Sequence, residues 1–156
     1  MWLDSHCHLT ANSFDADRGE MLERARQAGI REMVAIGSGY GVAANQAAVD
    51  LAHEEPGVYA TVGVHPHEAS ESNDSVIAQI REWTDDSSVV AIGECGLDYH
   101  YMNSERDVQR AVFAHQIALA RELDMPVSIH VRGDEPDAFG EMLEIWLAEG
   151  RNEVQG

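Results

Sequence analysis

The chain has no lysine: its ten basic residues are all arginine, set against 28 acidic residues, for a formal net charge of −18. That balance excludes a protein that holds nucleic acid on a broad basic surface, because such binding rests on many phosphate–cation contacts. The acid excess fits adaptation to high salt, where the screening length shrinks to about 3 Å at 1 M. It fits equally an ordinary acidic surface in which genomic base composition exchanged lysine for arginine. Cysteine is scarce too. Cys7 and Cys95 are the two present, which excludes a disulfide framework and points to a reducing, cytoplasmic setting. No apolar run approaches the ~20 residues of a membrane span. The opening "MWLDSHCH" has neither the basic region nor the apolar region of a secretion signal.

What is present is a regular alternation. Hydrophobic residues make up 44% of 156, enough for one packed domain. Short apolar runs at 1–7, 32–38, 58–64, 88–95 and 126–131 read as strands. Helical patterns lie near 15–28, 41–54, 73–84, 104–123 and 137–149. In the last, Phe139, Met142, Leu143, Trp146 and Leu147 fall on one apolar stripe. Ser104 and Asp107 resemble a capping box before the fourth helix, and Gly29 suits the end of the first. The interior strands are continuous apolar runs, as in sheets covered on both faces. Strand followed by helix, five times over, implies a parallel sheet with right-handed crossovers. No linker or composition shift divides residues 1–156, so one domain is expected.

Chemistry-bearing residues gather at the carboxyl ends of these strands, where parallel α/β folds place their functional crevice. In "DSHCHL" (4–9), Asp4, His6 and His8 alternate and so share one face of a strand. Two imidazoles two residues apart can share a metal ion, with Asp4 beneath as an orienting group. Glu94 ends "VVAIGE" between Gly93 and Gly96, glycines that permit a sharp turn and close approach. Its two oxygens could bridge two cations, or it could sit at a solvated loop tip. His130 and Arg132 end "PVSIHVR". Arg132 could grip a phosphate or carboxylate or simply pair with one of the many acids. In "GVHPH" (63–67), His65 could contact a substrate oxyanion or support a ligand, and His67 reads as a loop residue. His53, His100 and His115 read as surface or packing residues, and both cysteines as small hydrophobes. "GSGYG" (37–41) opens a helix after a strand and so could cradle a phosphate, but it lacks the lysine and spacing of a phosphate loop and reads as a flexible loop.

Four of these stretches, "DSHCHL", "GVHPH", "AIGECGLDY" and "PVSIHVR", occur in the order and at the spacing of the TatD family of metal-dependent hydrolases, which the whole chain resembles. The resemblance implies a TIM-barrel-type (β/α)₈ fold and hydrolysis of phosphodiesters, as in the family's deoxyribonucleases with exonuclease behaviour. The substrate would be DNA or another phosphodiester, with no membrane partner. By position, His6 and His8 match ligands of a first metal, Glu94 the bridging ligand and catalytic centre, and His130 a ligand of a second. His65 and Arg132 match positions near the substrate phosphate, with Asp4 in support. Two divalent ions are implied, of Zn, Mn, Mg, Co or Ni. They would lower the pKa of a water and polarise the phosphoryl oxygen, which also explains how so acidic a chain could hold a polyanion.

A (β/α)₈ barrel needs roughly 250 residues, whereas five βα units are present here of the eight expected. "NEVQG" resembles the approach to a sixth strand. The resemblance places a further His and a catalytic Asp on later strands, so residues 1–156 are expected to form the N-terminal portion of a single barrel. The alternatives are a half-barrel that self-associates, or a noncatalytic form that binds metal or a partner. Within enzymes, the alternative is an amidohydrolase acting on another ester or amide.

Overall fold

All five apolar runs form strands in the computed structural model, which describes residues 1–133 and 137–156. They are β1 (Trp2–Cys7), β2 (Ile30–Ile36), β3 (Val58–Val62), β4 (Val89–Asp98) and β5 (Val127–Arg132), joined into one sheet in chain order. Every pairing is parallel. The connecting helices are α1 (Arg18–Gln27), α2 (Ala44–Glu54), α3 (Asp74–Trp83) and α4 (Arg106–Glu122), with α5 (Asp137–Gly150) after β5. The curled sheet with its outer helices is a partial β/α barrel of the TIM type. No helix among the described residues is long and apolar enough to cross a membrane.

The core lies between sheet and helices. Leu22 of α1, Val49 of α2, Ile80 of α3 and Phe113 and Ile117 of α4 join Met33, Ala60, Val62, Ile92 and Leu97 of the strands in one buried cluster. A fully buried Leu or Phe side chain contributes about 1.5–3 kcal/mol of burial, so the helices are held mainly by these contacts. The edges are different. Trp2 and Leu3 of β1 are exposed, as are Phe139, Leu143 and Leu147 of α5. Of the expected α5 stripe, Met142 packs on the core; Ala138 and Ile145, which lie outside that stripe, turn inward in place of the exposed members. After α5 the chain turns back along β5, where Gln155 accepts a hydrogen bond from the Val127 N–H at 2.8 Å.

Three buried amide side chains fix the strand ends that carry the site. Asn45 accepts from the Gly63 N–H and donates to the Gly63 and Val42 carbonyls. Gln116 pairs in the same two-way fashion with the backbone of Val64. Gln109 accepts from the Asp98 N–H and donates to the carbonyls of Asp98 and Ser104. Each pairs with backbone at a strand end, and so satisfies peptide groups of Gly63, Val64 and Asp98 there. The capping box does not form: Glu105 occupies the N-cap of α4 without a side-chain bond. The Ser104 hydroxyl instead donates to the His67 carbonyl and accepts from the Ser70 N–H, tying the loop after β3 to the loop after β4. Gly29 does end α1, at φ +98°.

Candidate metal centre

β1, β4 and β5 deliver the principal side chains to one edge of the sheet. On β1 and just beyond it, His6 Nε2 lies 3.6 Å and His8 Nε2 4.0 Å from Glu94 Oε2. On β5, His130 Nδ1 lies 3.1 Å from the other oxygen, Glu94 Oε1. His6, His8 and Glu94 form one group of donor atoms within 4.8 Å of one another, and His65, Glu94 and His130 form a second. Glu94 belongs to both. Two nitrogen or oxygen ligands about 2.1 Å from one tetrahedral ion stand roughly 3.4 Å apart, so the spacing and the mixed imidazole–carboxylate chemistry suit divalent cations. The glycines beside Glu94 are required. A Cβ on Gly93 would overlap the Ser128 carbonyl, and one on Gly96 the His130 carbonyl, so only glycine lets β4 approach β5 this closely.

Asp98, missed as a site residue because β4 was expected to stop at residue 95, is central. The strand runs three residues further and buries Asp98 completely. One carboxylate oxygen accepts from the N–H groups of His100 and Tyr101. The other takes Nε2 of His67 at 2.8 Å and Nε2 of His130 at 3.1 Å. Burial alone would raise the Asp98 pKa, but these hydrogen bonds outweigh it and hold it at about 2. His67 is thus no free loop residue, since Asp98 fixes its ring. An Nε2–H given to Asp98 leaves the His130 Nδ1 lone pair toward Glu94, as in a carboxylate–histidine–metal relay.

The histidine ionisations diverge. Burial would lower the His130 pKa, yet the Glu94 and Asp98 carboxylates outweigh it and raise it above the ordinary value. Burial also works to raise Glu94, but the His130 hydrogen bond and the nearby imidazoles bring it down. His65 is pushed the other way: burial, with His130 adding, lowers it to about 4, so it is neutral at pH 7. Its Nδ1 accepts the His67 N–H at 3.2 Å. In a neutral ring, the proton then sits on Nε2, which makes that atom a hydrogen-bond donor.

The remaining candidates divide. Asp4 accepts from the backbone N–H of His6 at 3.2 Å, and so shapes the backbone of β1 rather than orienting an imidazole. Arg132 is exposed at the end of β5, stacked 4.6 Å over the Tyr101 ring, and lines the same cavity of about 260 Å³ as His8, His65, Glu94, Asp98 and His130. In the glycine-rich loop at 37–41, the Gly39 and Gly41 amides are already taken, since the buried Glu68 carboxylate accepts from both. His53, His100 and His115 are exposed, and none lies in either donor group. Both cysteines are free thiols. Burial, with Asp4 adding, pushes Cys7 up to about 12, and burial likewise raises Cys95. Among the described residues, neither belongs to a donor group.

The family model described as TatD related DNase matches residues 3–156. A protein of Bacillus subtilis named uncharacterized metal-dependent hydrolase YabD is 37% identical over all 156 residues, which cover 59% of its length. A 3'-5' ssDNA/RNA exonuclease TatD of Rahnella sp. is 43% identical over 143 residues, 91% of this chain and 53% of that one. The crystal structure of YJJV, a TatD homolog from Escherichia coli K12, superposes with a TM-score of 0.81 at 26% identity, over 94% of this chain and 57% of that one. The chain thus spans between half and three fifths of the length of these relatives.

Proposed function

This chain belongs to the family of TatD-related DNases, and on that premise we propose that its histidine–carboxylate centre hydrolyses phosphodiester bonds at the end of a nucleic-acid strand, as the N-terminal portion of one metallohydrolase barrel. The observation that carries this reading is that Glu94 is shared between two groups of donors, its Oε2 facing His6 and His8 and its Oε1 facing His130. We assign His6, His8 and Glu94 to one divalent ion, and Glu94 and His130 to a second. Bound there, such ions would supply Lewis acidity on the phosphoryl oxygens and a more acidic attacking water.

The other residues then have defined tasks. His65, neutral and protonated on Nε2, donates to a non-bridging phosphate oxygen. Arg132 offers its planar fork to the same phosphate. Asp98 keeps the His130 proton on Nε2, and Asp4 holds the β1 backbone on which His6 and His8 are presented. The free, unreactive thiols suit a reducing cytoplasm, and the acid surplus suits high salt.

The test is cleavage of an end-labelled single-stranded oligonucleotide with Mn²⁺ or Zn²⁺ by the wild type, His6→Ala and Glu94→Gln. Chelator-sensitive release of mononucleotides by the wild type, reduced at least 100-fold in both variants, is the expected result. Full activity in either variant would refute the assignment. Metal uptake by the wild type without cleavage would favour the noncatalytic alternative, and turnover confined to non-phosphate esters or amides would favour the amidohydrolase.

A further inference from the structure

Two exposed tyrosines stand at the mouth of the site. Tyr40, in the loop after β2, is 59% exposed and meets the edge of His8 at 5.6 Å between ring centroids, 84° between planes. Tyr101, in the loop after β4, is 54% exposed and meets His67 in the same manner at 5.5 Å and 90°. Both line the cavity that holds Glu94 and His130. One ring therefore flanks the group formed by His6 and His8, and the other flanks the group containing His130. Each is more than half exposed, and on Tyr101 the Arg132 guanidinium and the His100 ring occupy part of the surroundings, at 4.6 and 4.7 Å.

Electrostatics makes these rings informative. The net charge is −18 without a single lysine. Arg18, Arg24, Arg26, Arg81, Arg106 and Arg110 are all in ion pairs with carboxylates. Arg132 is the arginine that lines the cavity, and its guanidinium rests on Tyr101. A strand that depended on basic contacts would find few here. Stacking on aromatic faces does not need them and tolerates any base, since every base has a π-face.

We propose that Tyr40 and Tyr101 are base-stacking platforms, one on either side of the centre, that grip the unpaired bases flanking the scissile phosphate. This rests on the nucleic-acid reading above and adds to it the source of binding and of strand selectivity. Bases held in a duplex are stacked on their neighbours and cannot turn onto two separate rings, so the site takes single-stranded ends without regard to sequence.

The experiment measures dissociation constants with Mn²⁺ by fluorescence anisotropy, on strands made nuclease-resistant by phosphorothioate linkages, for an oligothymidylate and for the same strand with abasic residues at its last two positions. Tyr40→Leu and Tyr101→Leu should each weaken binding of the intact strand about 5- to 150-fold, the range for losing one base–aromatic stack. Phe at either position should restore it. The abasic strand, which lacks both stacks, should bind the wild type more weakly than the intact strand binds either Leu variant. Unchanged affinity in both Leu variants would overturn the proposal, and so would equal losses on both strands, which would mean that the rings merely support the histidines. A wild type that binds neither strand would overturn the nucleic-acid reading itself.

Discussion

Replacing Asp98 by Asn removes one charge and almost no volume, and its consequence follows from four hydrogen bonds. The amides of His100 and Tyr101 donate to one oxygen at 3.0 and 2.9 Å and cannot reverse, so the Asn carbonyl must stay with them. The Asn NH₂ then faces Nε2 of His67 and His130, which sit 2.8 and 3.1 Å from the other oxygen. To accept from it, His130 must carry its proton on Nδ1, the atom 3.1 Å from Glu94. A protonated Nδ1 has no lone pair for a cation. Loss of such an orienting carboxylate costs about 10–100-fold in metal affinity, or roughly 1.4–2.7 kcal/mol. Calorimetric titration with Mn²⁺ or Zn²⁺ measures the loss, and ¹⁵N spectra of His130 identify the tautomer independently. Wild-type affinity together with an Nε2–H tautomer in Asp98→Asn would refute the reasoning.

Two further outcomes follow from the same neighbourhood. In the metal-free protein, the unfolded chain takes up a proton at His65 near pH 6.5 that the folded one resists until about 4. Stability should therefore fall as pH drops through that window, by up to about 3 kcal/mol, with His8, also lowered by burial, adding to the fall. The raised pKa of His130 acts oppositely: its contribution is complete below about pH 6.5 and is lost as pH rises through its folded value. Melting curves should peak near pH 6.5–7, and His65→Gln should flatten the acid limb; an unaltered acid limb would exclude His65 as its cause. Glu68→Gln places an amide donor against the Gly39 or Gly41 N–H and loses a charged acceptor, a change of about 1–3 kcal/mol. Urea denaturation reads that loss, and faster exchange of those two amides reads the loosened loop that carries Tyr40.

The parallel order of the sheet and the convergence of His6, His8, Glu94 and His130 were legible in the sequence for one reason. Continuous apolar runs alternating with amphipathic helices fix the direction of every strand, and strands of one direction bring all their carboxyl ends to the same edge. What depended on tertiary partners was not legible. Asp98 follows two glycines that look like the end of β4, and only pairing with β5, as far as Asp98 opposite Arg132, shows that the strand continues. Gln109, Gln116 and Asn45 read as ordinary polar positions on helices, yet each is buried against a strand end. The 37–41 loop looked flexible because the carboxylate that fills it, Glu68, lies 27 residues further along the chain.

These hidden residues also bear on how so acidic a protein could serve a polyanion. The site contains two buried carboxylates, Glu94 and Asp98, and its one strongly buried imidazole, His65, is neutral at pH 7. Without cations, the two carboxylates oppose a phosphate, and Arg132, the donor on His65 and the His130 imidazole, whose pKa its carboxylate neighbours raise, are left to favour it. On the proposed reading, the cations reverse that local field, and affinity for the strand becomes conditional on them. By linkage, the strand must tighten the cations by the same factor. Stacking on Tyr40 and Tyr101 is then the part of binding that survives high salt, since it owes nothing to the net charge that salt screens.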